Sequence, residues 1–404
     1  MSRLKNIGYT FLGNAIFSFV KWLILILIVR LTTPEQVGSY TFSVALTTPI
    51  LLFANMRIRL RYVVEDDLHF NDLRVLRNIL NITSLIIIIV IGFLVYPGYL
   101  SLMILVAINK ILDLQSELYY AVFHKKQNFR VISFMQIGKS LLIIVPFFLV
   151  VLISKNVILA LITQSLMQLL WLIFVEKRTV NHIGKSQKHT QNKKLIFSML
   201  IAGLPLGIVQ LLNSYNILIP RYVIERFVNV EAVGIFASIS YLLTVIDLFM
   251  NAISQNIVIK IKNTISNSNY KKLLAYINRD VFIFSILLGA LVIVPVYFFN
   301  EFIVGIIYGS NYEKYSIVFL IISISIIFNF QSWIFDTTLM AFKVYKLQLI
   351  ASIINVFISI ISSLVLIKLY GLIGASIAVV VITLSQAATK YLLVIFCINK
   401  EKRG

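Results

Sequence analysis

Twelve stretches of predominantly apolar residues, each long enough to cross a bilayer, follow one another along this chain, and no other feature limits its fold as strongly. They cover residues 7–29, 37–55, 79–95, 99–123, 131–153, 157–175, 195–219, 233–257, 281–299, 315–338, 347–369 and 372–398. A hydrocarbon core about 30 Å thick is crossed by ~20 residues of α-helix, and inside it each backbone N–H and C=O must be bonded within the segment. The pattern predicts an all-α integral membrane protein with twelve transmembrane helices. Hydrophobic residues are 59% of the 404, above the roughly 45–50% of soluble domains, so lipid must solvate many of them. Arg3 and Lys5 ahead of the first stretch imitate a secretory signal, but the stretch continues to Val29 with no small-residue cleavage site and reads as an uncleaved span.

Charge supplies the orientation. Lys and Arg number 36 against 16 acids, a formal net charge of +20. In so apolar a chain this reflects basic loops beside anionic lipid, and nucleic acid is not an expected partner. When the loops are assigned alternately to two sides, one side holds 26 basic residues and the other six. Basic loops stay in the cytoplasm during insertion, which predicts cytoplasmic termini. Four lysines remain inside the spans: Lys21, Lys110, Lys139 and Lys390.

The most polar interruption near mid-chain separates six stretches from six. The expected layout is an N-lobe over 1–176, a basic cytoplasmic linker over 177–194 and a C-lobe over 195–404. Internal similarity supports it: residues 35–46 align without gaps to 231–242, sharing Glu35/Glu231, Val37/Val233, Gly38/Gly234 and Leu46/Leu242, with Tyr40 opposite Phe236. Repeats with an even number of spans share one orientation, so the lobes should be related by a pseudo-two-fold axis along the membrane normal, with a substrate path between them.

Residues that could carry chemistry are few. Gly138-Lys139-Ser140 and Gly184-Lys185-Ser186 resemble the tail of a phosphate loop, but Ser133 and Thr179 stand where its first glycine belongs. His69, His124, His182 and His189 lack metal-ligand spacing and read as solvated loop residues, and Cys397 is the single cysteine. No metal or cofactor is expected. The intramembrane charges are more informative, because each costs at least ~2.5–3.5 kcal/mol at mid-membrane and so faces protein or a water-filled cavity. Lys110, Asp113 and Glu117 share one helix face at i, i+3 and i+7, widened by Asn109 and Tyr120. Two readings apply: a cavity wall offering lysine to an anion while the acids bind a coupling cation, or an ion pair joining helices. Lys21 and Lys139 lie well inside their spans. Lys390 is close enough to the cytoplasmic end to snorkel, and Asp336 reads as interfacial. Asp247, with Asn251 and Gln255 at i+4 and i+8, forms a second polar stripe. Gly203-Leu-Pro205-Leu-Gly207 is expected to be a flexible kink, and Pro49, Pro146 and Pro295 mark other bends.

The segment Arg30-Leu-Thr-Thr-Pro-Glu-Gln-Val-Gly-Ser-Tyr-Thr-Phe-Ser-Val-Ala45 resembles the signature after the first span of Wzx-type polysaccharide flippases, and Tyr370-Gly-Leu-Ile-Gly-Ala-Ser-Ile-Ala378 resembles the glycine-rich entry to their last helix. These flippases belong to the multidrug/oligosaccharidyl-lipid/polysaccharide exporter superfamily. The resemblance covers the chain in length, span number and two-lobe layout. It implies a non-enzymatic transporter in the bacterial inner membrane that moves undecaprenyl-pyrophosphate-linked oligosaccharide units to the periplasmic leaflet, for O-antigen or another surface polysaccharide. A polysaccharide polymerase and a chain-length regulator are the implied protein partners. The basic residues implicated in such cavities correspond here to Lys21, Arg30, Lys110 and Lys139. Coupling to H+ or Na+ would run through Asp113, Glu117 or Asp247, unless removal of product outside drives transport. The rivals are a multidrug cation antiporter of the same superfamily, which would favour acidic lobes; a membrane polymerase, which carries a large periplasmic loop; and a peptidoglycan-precursor flippase, which usually has extra C-terminal spans.

Overall fold

The computed structural model describes residues 2–64, 68–183, 193–243, 261, 264–265, 269–342 and 344–401, and all regular structure among them is helical. The chain divides into two compact units, Met1–Ser214 and Tyr215–Gly404. The first holds α1 (Ser2–Leu31), α2 (Pro34–Asn55), α3 (Ile58–Val64), α4 (Phe70–Leu94), α5 (Leu100–Lys125), α6 (Phe129–Ser154) and α7 (Val157–Trp171). A π-helical turn, Leu172–Glu176, continues α7 into α8 (Lys177–Ile183). Next comes α9 (Lys193–Phe227), and the units part within it rather than at the basic linker, of which 184–192 lie outside the described residues. The second unit continues with α10 (Val230–Leu243), α11 (Tyr270–Ala275), α12 (Phe282–Tyr308), α13 (Ser316–Ser323), α14 (Ser325–Ala341) and α15 (Tyr345–Glu401).

Ten helices among the described residues are long and apolar enough to cross a membrane, and the protein is a multi-pass membrane protein. Two features separate ten from the twelve expected stretches. Most of the eighth stretch, with Asp247, Asn251 and Gln255, lies outside the described residues, and α10 is its beginning. The last two stretches are continuous in α15, whose backbone leaves helical geometry at Gly371 (φ 58, ψ −129). A straight helix of that length would extend ~85 Å, about twice a bilayer. Glycine adopts the positive φ that interrupts it at little cost.

Helix starts follow from short polar side chains. The Thr33 Oγ1 accepts from the Gln36 backbone N–H (3.4 Å) at the head of α2, where Pro34 and Glu35 occupy the first turn. In the second unit, Asn229 Oδ1 accepts from the Ala232 N–H at 2.7 Å, the same register 196 positions on, so the repeated segment opens a helix identically in each unit. Val37 and Val233 are both fully buried behind these caps. Gln36 also ties α2 to the α6–α7 corner: its side chain donates to the Lys155 carbonyl (3.3 Å) and accepts from the Val157 N–H (3.0 Å).

At the α2–α3 junction, Met56 and Arg57 have positive φ. Arg77, 1% exposed, donates there to Ala54 O, Asn55 O and Asn55 Oδ1, each at 3.1 Å, satisfying carbonyls at the end of α2. The first part of α9 packs on this junction, and Arg61 donates to the Met199 carbonyl at 2.8 Å. The segment holding Gly203, Pro205 and Gly207 is helical throughout. A Cβ on Gly207 would lie 2.6 Å from the Phe53 carbonyl oxygen, and one on Gly203 2.9 Å from Met56 Sδ, so close packing accounts for both glycines. Helix α12 departs from helical geometry at Phe299 (φ −125, ψ 16), four residues beyond Pro295, whereas proline disturbs the turn that precedes it, so this break is not the bend expected at Pro295.

Candidate functional site

The face of α5 predicted from the sequence meets α1 and α6 in the first unit. Helix α1 packs along α6, with Gln136 Nε2 donating to Asn14 Oδ1 at 2.9 Å. Lys139 follows Gln136 by three residues and Lys21 follows Asn14 by seven, spacings that keep both lysines on the faces this contact brings together. Between them stands Asp113. Its Oδ2 accepts from Lys21 Nζ and its Oδ1 from Lys139 Nζ, both at 2.8 Å.

The two lysines differ in freedom. Lys139 is 1% exposed and donates a further bond to Ser116 Oγ at 2.9 Å. The Lys21 side chain is 43% exposed and lies 4.2 Å from the Phe17 ring centroid, a cation–π contact that shares the ring with Lys139 at 5.7 Å. Lys110, half-buried one turn before Asp113, is close enough to interact electrostatically with both Lys21 and Asp113, and forms no ion pair among the described residues. Three lysines thus surround one carboxylate.

Glu117 belongs to a separate group one turn on, where it interacts with Arg59 and Arg77. Beside it, Tyr120 OH donates to Glu176 Oε1 at 2.7 Å, and Glu176 is fully buried. Glu176, the last residue of the expected N-lobe, is carried inward by the π-helical turn. Asn109 is structural, its amide bonding the carbonyls of Leu105 and Leu161. Arg30 is exposed and, nine residues past Lys21, sits ~14 Å along α1 and half a turn round, so it is not part of the cluster. Lys139, which resembled a phosphate-loop residue, is held within α6.

In the second unit Lys390 does not snorkel freely. It donates to Asp336 Oδ2 at 2.7 Å and to Ser332 Oγ at 2.8 Å, so Asp336 is an ion-pair partner as well as an interfacial acid. The partners are 54 residues apart, and no local spacing could have revealed them. His124, expected as a solvated loop residue, is half-buried in the last turn of α5 with its ring edge-on to Phe129 (5.3 Å).

The family model described as polysaccharide biosynthesis protein matches residues 3–259, a stretch that includes the whole lysine-ringed carboxylate. The chain belongs to this family. Within the polysaccharide biosynthesis proteins, it is 28% identical over 384 residues to capsular polysaccharide biosynthesis protein CapF of Staphylococcus aureus, covering 95% of this chain and 96% of the relative. Its fold is similar to that of the lipid II flippase MurJ in an inward closed conformation, with a TM-score of 0.75 at 14% identity over 96% of this chain and 88% of the other. It is also similar to an inward-facing multidrug resistance MATE transporter of the MOP superfamily, with a TM-score of 0.74 at 12% identity over 98% and 96%. At such identities the likeness is one of fold, and it agrees with the superfamily that the sequence resembles.

Proposed function

We propose that this polysaccharide biosynthesis protein translocates undecaprenyl-pyrophosphate-linked oligosaccharide units from the cytoplasmic to the periplasmic leaflet of the inner membrane. It does so by alternating access between two six-helix lobes, both termini being cytoplasmic, for O-antigen or another surface polysaccharide. Twelve spans follow if the chain reverses at Gly371 and the eighth stretch crosses the membrane. The observation that carries the proposal is Asp113 bonded to Lys21 and Lys139, with Lys110 in electrostatic reach, on membrane-spanning helices of a chain in this family. A capsular polysaccharide relative and a fold like that of a lipid II flippase support it.

The arrangement suits reversible capture of an anion. Lys139 keeps Asp113 neutralised, so the exposed Lys21 can exchange its carboxylate partner for a phosphate oxygen without leaving a bare buried charge. Lys110 adds an ammonium with no ion pair among the described residues. At the effective dielectric of a protein surface, a unit-charge pair 4 Å apart gains ~4 kcal/mol against ~1 in water, so two lysines suffice to draw a pyrophosphate from the headgroup layer. Lys21 and Lys110 are the substrate contacts in this account, Arg30 a further contact near the outer end of α1, and Lys139 a positioning residue. Asp113, Glu117 and Asp247 are the coupling candidates, for H+ or Na+. A polymerase and a chain-length regulator would receive the product. Lysine in excess over acid opposes a cationic drug as cargo, and the short expected outside loops oppose a polymerase.

The test replaces Lys21 and Lys110 singly by Ala in cells that depend on the protein. Loss of surface polysaccharide at normal protein level, with lipid-linked units retained on the cytoplasmic leaflet, is expected. Unchanged surface polysaccharide in both variants would overturn the assignment.

A further inference from the structure

A cavity of about 510 Å³ opens in the first unit between α4, α5 and the π-helical turn, lined by residues apart from the Asp113 cluster. Arg74 and Lys177 supply its positive charge, and neither has an ion-pair partner among the described residues. Asn81 (7% exposed) and Gln115 (9%) line its interior, and their side-chain carbonyl oxygens are buried with no hydrogen-bond partner. Buried acceptors are rarely left so, because losing water without a replacement is costly. Arg74, Asn78 and Asn81 fall at i, i+4 and i+7 on one face of α4, so the charge and the orphaned acceptor lie ~10 Å apart along the helix. The wall also includes Ile82 and Ile173, which are 60% and 41% exposed on helices that cross the membrane.

A ligand for this cavity must bring an anion to the two cations, hydroxyl groups to the two side-chain amides, and apolar chains to the isoleucines. We propose that it is a binding site for an anionic membrane glycerophospholipid with a hydroxylated headgroup, of the phosphatidylglycerol class. Phosphodiester oxygens pair with Arg74 and Lys177, which are strong charge-assisted contacts. The headgroup hydroxyls bond the side-chain amides of Asn81 and Gln115, accepting from their N–H groups or, after a half-turn of an amide, donating to the oxygen that is otherwise buried without a partner, and the acyl chains lie along the exposed face of α4. On the side to which the basic loops are assigned, this is the cytoplasmic leaflet. The site depends on the chain being embedded in a membrane and not on the identity of any transported substrate.

Native mass spectrometry of the detergent-purified full chain, titrated with phosphatidylglycerol, phosphatidylmethanol and phosphatidylcholine, tests the inference. The first phosphatidylglycerol should bind at least about tenfold more tightly than phosphatidylcholine, and the Arg74→Ala/Lys177→Ala pair should abolish that margin. Phosphatidylmethanol, a phosphodiester of the same single charge with no headgroup hydroxyl, should fall between them. Asn81→Leu/Gln115→Leu should reduce phosphatidylglycerol to its level; should that pair fail to fold, the phosphatidylmethanol comparison reads the same contribution. Equal binding of phosphatidylglycerol and phosphatidylcholine, or full binding by the Arg74→Ala/Lys177→Ala variant, would overturn the site. Phosphatidylmethanol binding as tightly as phosphatidylglycerol would overturn the role of the hydroxyls. Displacement of the lipid by equimolar glycerophosphoglycerol, which lacks acyl chains, would overturn a membrane lipid as the occupant.

Discussion

Replacing Asp113 by Asn removes the charge that holds two ammonium groups, and the two losses are unequal. Lys139 is 1% exposed and would be left with neutral partners: Ser116, the Phe17 ring and the amide oxygen of the new asparagine. Leaving one member of a buried pair uncompensated costs about 3–5 kcal/mol. The Lys21 side chain is 43% exposed outside the cluster and can turn away from the lost carboxylate, so its share of the cost is the smaller one. For a unit the size of Met1–Ser214, where 1 kcal/mol shifts the midpoint by ~2–4 °C, Asp113→Asn should lower the melting temperature by roughly 6–20 °C. Adding Lys139→Met removes the stranded charge, and an apolar side chain of similar volume is tolerated at such sites. The double variant should therefore melt within about 5 °C of the parent. Dye-reported melting of the three purified proteins in one detergent is the assay. An Asp113→Asn protein as stable as the parent, or a double variant no better than the single, would refute the claim that Lys139 is a buried charge dependent on Asp113. Return of glycan export together with stability in the double variant would show the pair to be structural only.

Gly207→Ala should destabilise more than Gly203→Ala, because the added Cβ meets the Phe53 backbone oxygen at 2.6 Å in the first case and the flexible end of Met56 at 2.9 Å in the second; parallel melting curves check the order. Gln36→Ala removes both bonds to the α6–α7 corner and should cost about 1–2 kcal/mol, read as a lower melting temperature with export retained. Lys390→Met should cost less than Asp113→Asn, since its partner Asp336 has a side chain 43% exposed and water can replace the lysine.

The all-helical, multi-pass architecture was legible in the sequence because lipid forces every span to be a long apolar helix, a pattern that needs no knowledge of neighbours. The face carrying Lys110, Asp113 and Glu117 was legible for the same local reason, since i, i+3 and i+7 share a side of any helix. Partner choice was not. Asp113 chose Lys21 and Lys139 over the nearby Lys110, and Glu117 turned to arginines counted as loop charges, because helix packing decides which faces meet. Glu176 was hidden by a π-helical turn that shifts the register of α7, and the Asp336–Lys390 pair by the distance between its members. The glycines of α9 read as flexibility, though they answer to a close approach visible only in three dimensions. The signature around Pro34 and Glu35 gained a physical meaning: it is a capped helix start, repeated at Asn229.

The most direct test of the flippase account is transbilayer movement in proteoliposomes that contain only the purified chain and a fluorescent undecaprenyl-pyrophosphate-linked oligosaccharide. Accessibility of the glycan to a membrane-impermeant glycosidase reports the leaflet it occupies. The account predicts that the wild-type protein brings inner-leaflet glycan to the enzyme while Lys21→Ala/Lys110→Ala does not, although both fold and insert equally. Glycan that stays protected with the wild-type protein, under imposed H+ and Na+ gradients as well as without them, would contradict it.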